Sequence, residues 1–192
     1  LQQAIPFSRK IREIFPEIKI IWGGYFPSNQ PAVVLKSGFI DVICSTGAQV
    51  YHDAHFAFGL PVVQGSSNLD DNKLYADGIV RIYDTFIDEK ELQVCDQTIT
   101  KVADSLPLIP NSSREFIREM GRYLVQHSKK KDSLVQTCFE KGVPIFCPAF
   151  SDSSAGFGLV MHQWKAKGQY VTLDSVKDFL ELTKIKIRAP TS

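Results

Sequence analysis

The chain has 192 residues, 44% of them hydrophobic and 22% charged, with a net charge of +1. That is the size of one domain with room for a core. The balanced charge excludes an electrostatic nucleic-acid surface, since the one basic run, Lys129-Lys130-Lys131, is only long enough for a solvated loop.

In chain order, residues 4 to 15 read as a basic amphipathic helix with Ile11, Ile14 and Phe15 on one side. Ile18 to Trp22 predicts a strand, ended by Gly23-Gly24. A turn over 25 to 31 leads through Pro31 into a short helix over 32 to 36. Val42 to Cys44 is the next strand, and Ser45-Thr46-Gly47 opens a helix over 48 to 58 that Gly59 and Pro61 break. Residues 62 to 71 read as a polar loop and 73 to 77 as a short helix. Ile79 to Tyr83, apolar at alternate positions, is a strand or an edge segment. A helix over 88 to 106 and a linker at 107 to 110 follow.

Ser112-Ser113-Arg114-Glu115 has the form of a capping box. The helix it opens carries Phe116, Ile117, Met120 and Leu124 on one face, and a second helix, Leu134 to Lys141, ends at Gly142. Val143 to Phe146 predicts a buried strand that breaks at Pro148 and passes through Ser151-Asp152-Ser153-Ser154 into a helix over 155 to 164. A last amphipathic helix, 174 to 186, places Val176, Phe179 and Leu180 inward. Strands alternating with helices predict an α/β fold, a doubly wound, mainly parallel sheet with helices on both faces.

The four cysteines (Cys44, Cys95, Cys138, Cys147) lie far apart, and no Cys or His pair has metal-ligand spacing, so no metal site is expected. Free thiols suit a reducing, cytoplasmic setting. With no signal peptide and no apolar run of spanning length, a membrane partner is not expected.

Two strand-end turns carry the chemistry. Ser45-Thr46-Gly47-Ala48 lets a backbone approach a phosphate or ribose, with a helix N-terminus favouring negative charge. Asp152 is either a helix cap or a ligand contact in the crevice beyond the strand ends. Ser45-Thr46-Gly47-Ala48 with Tyr51-His52-Asp53, Gly65-Ser66, Asp70-Asp71, Arg81-Ile82-Tyr83-Asp84 and Pro148-Ala149-Phe150-Ser151-Asp152 together resemble deoxyhypusine synthase and its bacterial relatives, over about residues 41 to 190.

The resemblance implies an NAD-dependent transferase. Such an enzyme passes an aminobutyl group from spermidine, or a related group from another polyamine or agmatine, through an imine on an enzyme lysine to an amine acceptor such as a protein lysine. Carried over by position, Thr46, Gly47 and Ala48 match the turn that contacts NAD, and Asp152 matches an acid that holds it. His52 stands where a glutamate touches both NAD and polyamine, Tyr51 replaces a second glutamate, and Phe157 replaces a polyamine-binding aspartate. These departures remove negative charge from a site meant for a polycation. The residue readings beside these are a surface helical histidine for His52 and a core aromatic for Tyr51. None of the lysines, Lys184 and Lys186 included, matches the nucleophile's motif, so no catalytic residue is assigned. The family's homotetramers have active sites straddling a dimer interface. This implies a homo-oligomer, with Val50, Phe56 and Phe58 of the 48–58 helix as the expected exposed surface.

The opening is different. Arg12-Glu13-Ile14-Phe15-Pro16 and Ile18-Lys19-Ile20-Ile21-Trp22-Gly23-Gly24-Tyr25-Phe26-Pro27 resemble part of the cobalamin-binding domain found ahead of radical-SAM enzymes. That family's histidine loop and cysteine cluster are absent, and cobalamin binding is not expected. The expected division is therefore residues 1–40 as a helix–strand–helix segment of that type, and 41–192 as a deoxyhypusine synthase-like NAD-binding core, incomplete at its C-terminal side. Two functions follow: a transferase inactive as this partial chain, or a non-catalytic fused fragment that folds and associates with full-length relatives.

Overall fold

The computed structural model describes residues 4–23, 35, 38–166, 168 and 170–185. Its elements, in order, are α1 (Ala4–Ile14), β1 (Ile21–Gly23), β2 (Val42–Cys44), α2 (Gly47–Phe58), β3 (Val63–Gln64), α3 (Asp71–Ala76), β4 (Ile79–Ile82), β5 (Thr85–Asp88), α4 (Glu89–Ser105), β6 (Pro110–Asn111), α5 (Ser113–His127), α6 (Leu134–Lys141), β7 (Ile145–Phe146), a 3₁₀ turn (Phe150–Asp152), α7 (Ala155–Lys165), β8 (Thr172–Leu173) and α8 (Ser175–Lys184). The expected turn at 25–31 and helix at 32–36 lie outside the described residues, apart from Leu35.

The apolar runs around Ile21, Ile43 and Ile145 make one parallel sheet in the order β1-β2-β7. Ile43 stands opposite both Trp22 and Ile145, and Cys44 opposite Phe146. Because side chains alternate along a strand, Ile43 and Ile145 enter a core built with Val50, Ala54, Ile99, Phe116, Met120 and Leu124. Phe146 turns to the other face, where Arg114 lies 6.0 Å from its ring and Glu181 of α8 closes in. Helices thus cover both faces, as expected for the α/β class. A small antiparallel sheet, β3-β5-β4, and a parallel pair, β6-β8, flank it. The 79–83 segment is therefore a strand of a hairpin, and part of the supposed loop at 62–71 is its third strand.

Helix boundaries follow local chemistry. Thr46, Asp70, Asp88, Ser133 and Asp174 accept from first-turn amides, and Ser112 with Glu115 forms the full capping box. Gly59 and Gly142 end their helices with φ of 67° and 68°, a left-handed conformation that glycine adopts without a Cβ penalty.

The opening is tied into the same sheet. Asp41 accepts from the Ile20 amide (2.8 Å) and from Arg12 (2.5 Å), joining α1, the β1 approach and β2. Burial raises the Asp41 carboxyl, but the Ile20 amide and the Arg12 guanidinium outweigh it and hold the group below the ordinary aspartate value.

Two expected faces are corrected. Val176, Phe179 and Leu180 are 73%, 59% and 54% exposed, so the apolar stripe of α8 points outward within this chain. Its buried residue is Asp178, which accepts from the Ser113 amide (3.0 Å), the Ser113 hydroxyl (2.8 Å) and the Arg114 amide (3.4 Å) and so serves the N-terminus of α5. In α2, Val50 and Phe58 are core residues and only Phe56 is exposed, under Lys130 at 4.6 Å. That helix is packed inside because α4, α5 and α6 surround it. Exposed apolar side chains lie instead on α7, at Phe157, Val160 and Trp164.

Asp178→Ala should lower unfolding free energy by about 1–3 kcal/mol, since it strands buried donors. Phe179→Ser should change it by less than about 0.5 kcal/mol. Urea denaturation of the two variants checks both, and equal costs would place the α8 stripe in a buried interface.

Candidate functional site at the strand ends

The register Cys44↔Phe146 brings the ends of β2 and β7 out at one level of the sheet. Two residues beyond Cys44 lies Thr46, and the Pro148–Ser154 turn leaves beside it. The two turns touch. A Cβ on Gly47 would stand 2.3 Å from Ser153 Oγ and 2.9 Å from the Phe150 carbonyl oxygen. Ser153 is fixed there by donating to Phe150 O (2.7 Å) and accepting from the Ala155 amide (3.3 Å). Gly156 is equally confined, its missing Cβ 2.4 Å from Ser151 O. Gly158 lets α7 lie on α4, with Thr100 Oγ donating to its carbonyl at 2.9 Å. The glycines are therefore explained by close backbone approach.

Thr46, Ala48, Asp152 and Phe157 are exposed at this edge, Phe157 at 66%. The first turn of α2 has no acidic residue, which suits an anion at its N-terminus. Asp152 makes no cap bond to α7, whose N-cap position is Ser154 with no side-chain cap. The strand-end turns thus present amides at a helix N-terminus, the hydroxyls of Thr46, Ser151 and Ser154 and the Asp152 carboxylate around a shared edge, a pattern able to hold a phosphate and a ribose hydroxyl.

Tyr51 and His52 are placed differently. Tyr51 is buried, and its hydroxyl donates to Asp96 Oδ1 (2.7 Å) and Leu92 O (3.1 Å), bolting α2 to α4. Burial, and then the Asp96 carboxylate, push the phenol far above its ordinary value, so it stays neutral. His52 is half-buried, its ring 5.7 Å from Tyr51 and 5.8 Å from His55. Burial lowers His52, while burial and the neighbouring His52 lower His55 to about 4, so both rings are neutral near pH 7. His55 is fully buried with neither ring nitrogen hydrogen-bonded among the described residues.

Sequence reasoning missed two anchors of this edge. Asp53 accepts from the Leu134 (2.7 Å) and Val135 (2.9 Å) amides, so α2 serves the start of α6. Asp96 is the acceptor that holds Tyr51. Both lie one or more helices away in sequence from their partners, which local patterns do not reveal. Among the described residues no group of three or more His, Cys, Asp or Glu is arranged to hold a metal, and no helix is long and apolar enough to cross a membrane.

The class defined by this geometry is a parallel α/β protein whose two strand-end turns meet at one edge of the sheet. The chain belongs to the deoxyhypusine synthase family. That family's profile, described as deoxyhypusine synthase, matches residues 30–192. A deoxyhypusine synthase-like protein of Chlorobaculum tepidum is 55% identical over 155 residues, 80% of this chain and 44% of that protein. One of Coxiella burnetii is 52% identical over 163 residues, 84% and 46%. The chain thus spans a little under half the length of these relatives. A crystal structure from Entamoeba histolytica assigned as a deoxyhypusine synthase shares the fold, with a TM-score of 0.60, 18% identity, and coverage of 94% of this chain and 63% of that one.

Gly47→Ala should cost about 1–3 kcal/mol of stability, because the added methyl must displace the Phe150–Ser153 turn; thermal unfolding measures it, and an unchanged midpoint would mean the turns do not touch. Asp53 gives a pH signature. Burial raises its carboxyl to about 6, against the two amide donors. Between roughly pH 4, where the unfolded carboxyl titrates, and that value, the folded chain keeps a proton the unfolded chain has lost. This group's contribution is therefore fully present below pH 4 and is lost as pH rises through 6. In urea titrations Asp53→Asn should remove that downward slope, and an unaltered slope would assign the pH dependence elsewhere.

Proposed function

We propose that the chain is the partial NAD-binding body of a deoxyhypusine synthase-like transferase. In this reading Thr46, Gly47, Ala48 and Asp152 hold the dinucleotide: the N-terminus of α2 faces phosphate, and the Asp152 carboxylate accepts from a ribose hydroxyl. NAD, when bound, supplies a two-electron hydride acceptor for oxidation of an amine donor. The observation that carries the reading is the contact of the two turns at Gly47, where Ser153 and Phe150 occupy the space a side chain would take. The amine donor is a polyamine or an agmatine-like molecule, and the acceptor an amine such as a protein lysine. His52 and Phe157 line its path, and Tyr51 supports that wall through Asp96. All three lack negative charge, so a polycation is held less firmly than by carboxylates. Association into a homo-oligomer, or with full-length relatives, belongs to the same reading. So does a cytoplasmic setting, in which the free thiols of Cys44, Cys95, Cys138 and Cys147 persist.

The chain by itself is proposed not to catalyse transfer. An imine-forming step needs an amine nucleophile of lowered pKa, and no lysine here stands in the family's nucleophile motif. A second reading, a folded non-catalytic fragment, shares every structural feature and differs only in whether turnover returns when a lysine-bearing partner is added.

Calorimetric titration with NAD should give weak binding, with Asp152→Asn about tenfold weaker through loss of one charge-assisted hydrogen bond of roughly 1.5 kcal/mol. Equal affinities would remove Asp152 from the site. Incubated with NAD, radiolabelled spermidine and an acceptor protein, the chain alone should transfer no label and form no NADH above the blank. Label on the acceptor would overturn the proposed inactivity.

A further inference from the structure

We infer that Ser113 and Asp178 are positioning residues for the nucleotide edge: Asp178 orients the Ser113 hydroxyl, and that hydroxyl fixes the start of the turn that carries Asp152. The inference rests on the reading that Asp152 contacts NAD. It gives a role at that site to two buried residues that touch no ligand themselves.

The chemistry starts at the N-terminus of α5. Ser113 is its first residue, so the Ser113 and Arg114 amides have no acceptor within the helix. Asp178 accepts from both, at 3.0 and 3.4 Å, and from the Ser113 hydroxyl at 2.8 Å. All three partners are donors, so the carboxylate acts only as an acceptor. A serine hydroxyl has one proton and two lone pairs. With the proton given to Asp178, Ser113 Oγ meets its remaining neighbour through a lone pair. That neighbour is the Cys147 amide, which donates at 2.7 Å. Ser113, Cys147 and Asp178 are 1%, 2% and 1% exposed, so solvent does not stand in for a lost member of the relay. Burial, and then the nearby Asp178 charge, push the Cys147 thiol up to about 11, which keeps it neutral beside the relay.

Asp178 is itself held in place. Glu181, one turn further along α8, accepts from Ser112 Oγ at 3.0 Å and from Arg114 Nε at 2.6 Å. At the other side the Asp174 amide donates to Asn111 O at 2.8 Å. The start of α8 is thus registered against the start of α5 on both sides of Asp178.

Cys147 is the residue between strand and turn. Before it, Phe146 O accepts from the Ser45 amide at 2.9 Å, and its own carbonyl accepts from the Phe150 amide at 3.0 Å. The bonds continue from there: the Asp152 amide donates to Ala149 O (3.1 Å), and the Ser153 hydroxyl to Phe150 O. The Phe150 ring packs on Phe116 of α5 at 5.1 Å. The turn is therefore seated on α5 twice, by a buried hydrogen bond and a buried ring, before it reaches Gly47. The Asp152 side chain, by contrast, is exposed and caps no helix. Its placement comes from the backbone beneath it, and that backbone is anchored at Cys147.

The test is NMR on the full chain carrying Ser113→Ala, Asp178→Asn, which keeps the buried volume, or Leu124→Ala, a core change further along α5. Spectra are recorded first without ligand. Ser113→Ala and Asp178→Asn should each move the amide resonances of Cys147, Asp152 and Ser153, while Leu124→Ala leaves the last two in place. NAD is then titrated. Ser113→Ala and Asp178→Asn should each weaken binding about threefold or more, and each should weaken it less when added to Asp152→Asn, because they act through that one contact. The inference is overturned if the Asp152 and Ser153 amides stay in place in both variants. It is also overturned if Leu124→Ala weakens NAD binding as much as they do, or if their losses simply add to that of Asp152→Asn. Should Ser113→Ala fail to fold, Asp178→Asn decides by the same criteria. If the unaltered chain binds no NAD, the NAD reading alone is rejected, and the ligand-free spectra decide the positioning.

Discussion

The absence of a side chain at Gly47 is the constraint on which the strand-end architecture depends. Parallel pairing of β2 with β7 delivers two turns to the same level, but pairing alone would leave them a side chain's width apart. Ser153 and the Phe150 carbonyl fill the place of a Cβ, so the turn that carries Asp152 closes directly on the N-terminus of α2. Gly156 and Gly158 extend the same logic, one to the tight turn and the other to the seating of α7 on α4. Three glycines at different spacings thus do one job: each lets a neighbouring turn or helix approach closer than a Cβ would allow.

Around that contact the structure is held by polar groups that reach across the chain. Asp53 ties α2 to α6, Tyr51 and Asp96 tie α2 to α4, and Asp178 with Ser113 ties α8 to α5 and onward to the Cys147 amide. His162 joins α7 to Asp104 at 2.6 Å and accepts from the Val171 amide at 3.0 Å. Asp53 and Asp178 meet amide donors at helix starts and Asp96 meets a hydroxyl, which offsets part of their desolvation; at Asp53 burial still outweighs the two amides. These links explain how an edge formed by short strands stays in one geometry.

The sheet and most helix ends were legible in the sequence because their signals are local. Apolar runs marked β2 and β7, Ser112 and Glu115 marked a cap, and Gly59 and Gly142 marked two stops. The α8 stripe was misassigned because amphipathic spacing reports that a face is apolar, not what lies against it. Its apolar residues are exposed in this chain while Asp178, on the polar side, is buried by a partner 65 residues away. The β4–β5 hairpin was half seen, since Tyr83 turns the chain with φ of 57°, a conformation no sequence rule assigns readily to tyrosine. That the two strand-end turns share one edge was legible because each closes a strand and opens a helix, whereas the roles of Asp53 and Asp96 were not, because hydrogen-bond partners far apart in sequence leave no periodic trace.

The central claim is that the Thr46–Ala48 turn and the Ser151–Ser154 turn form one nucleotide-binding edge. The measurement that reaches it most directly is amide chemical-shift mapping by NMR during a titration with NAD. The account predicts that the amides of Gly47, Ala48, Asp152 and Ser153 shift together along one binding curve, while those lining the cavity of about 370 Å³ between Arg114, Arg118 and Gly142 stay still. Shifts confined to one of the two turns, or centred on that cavity, would contradict it.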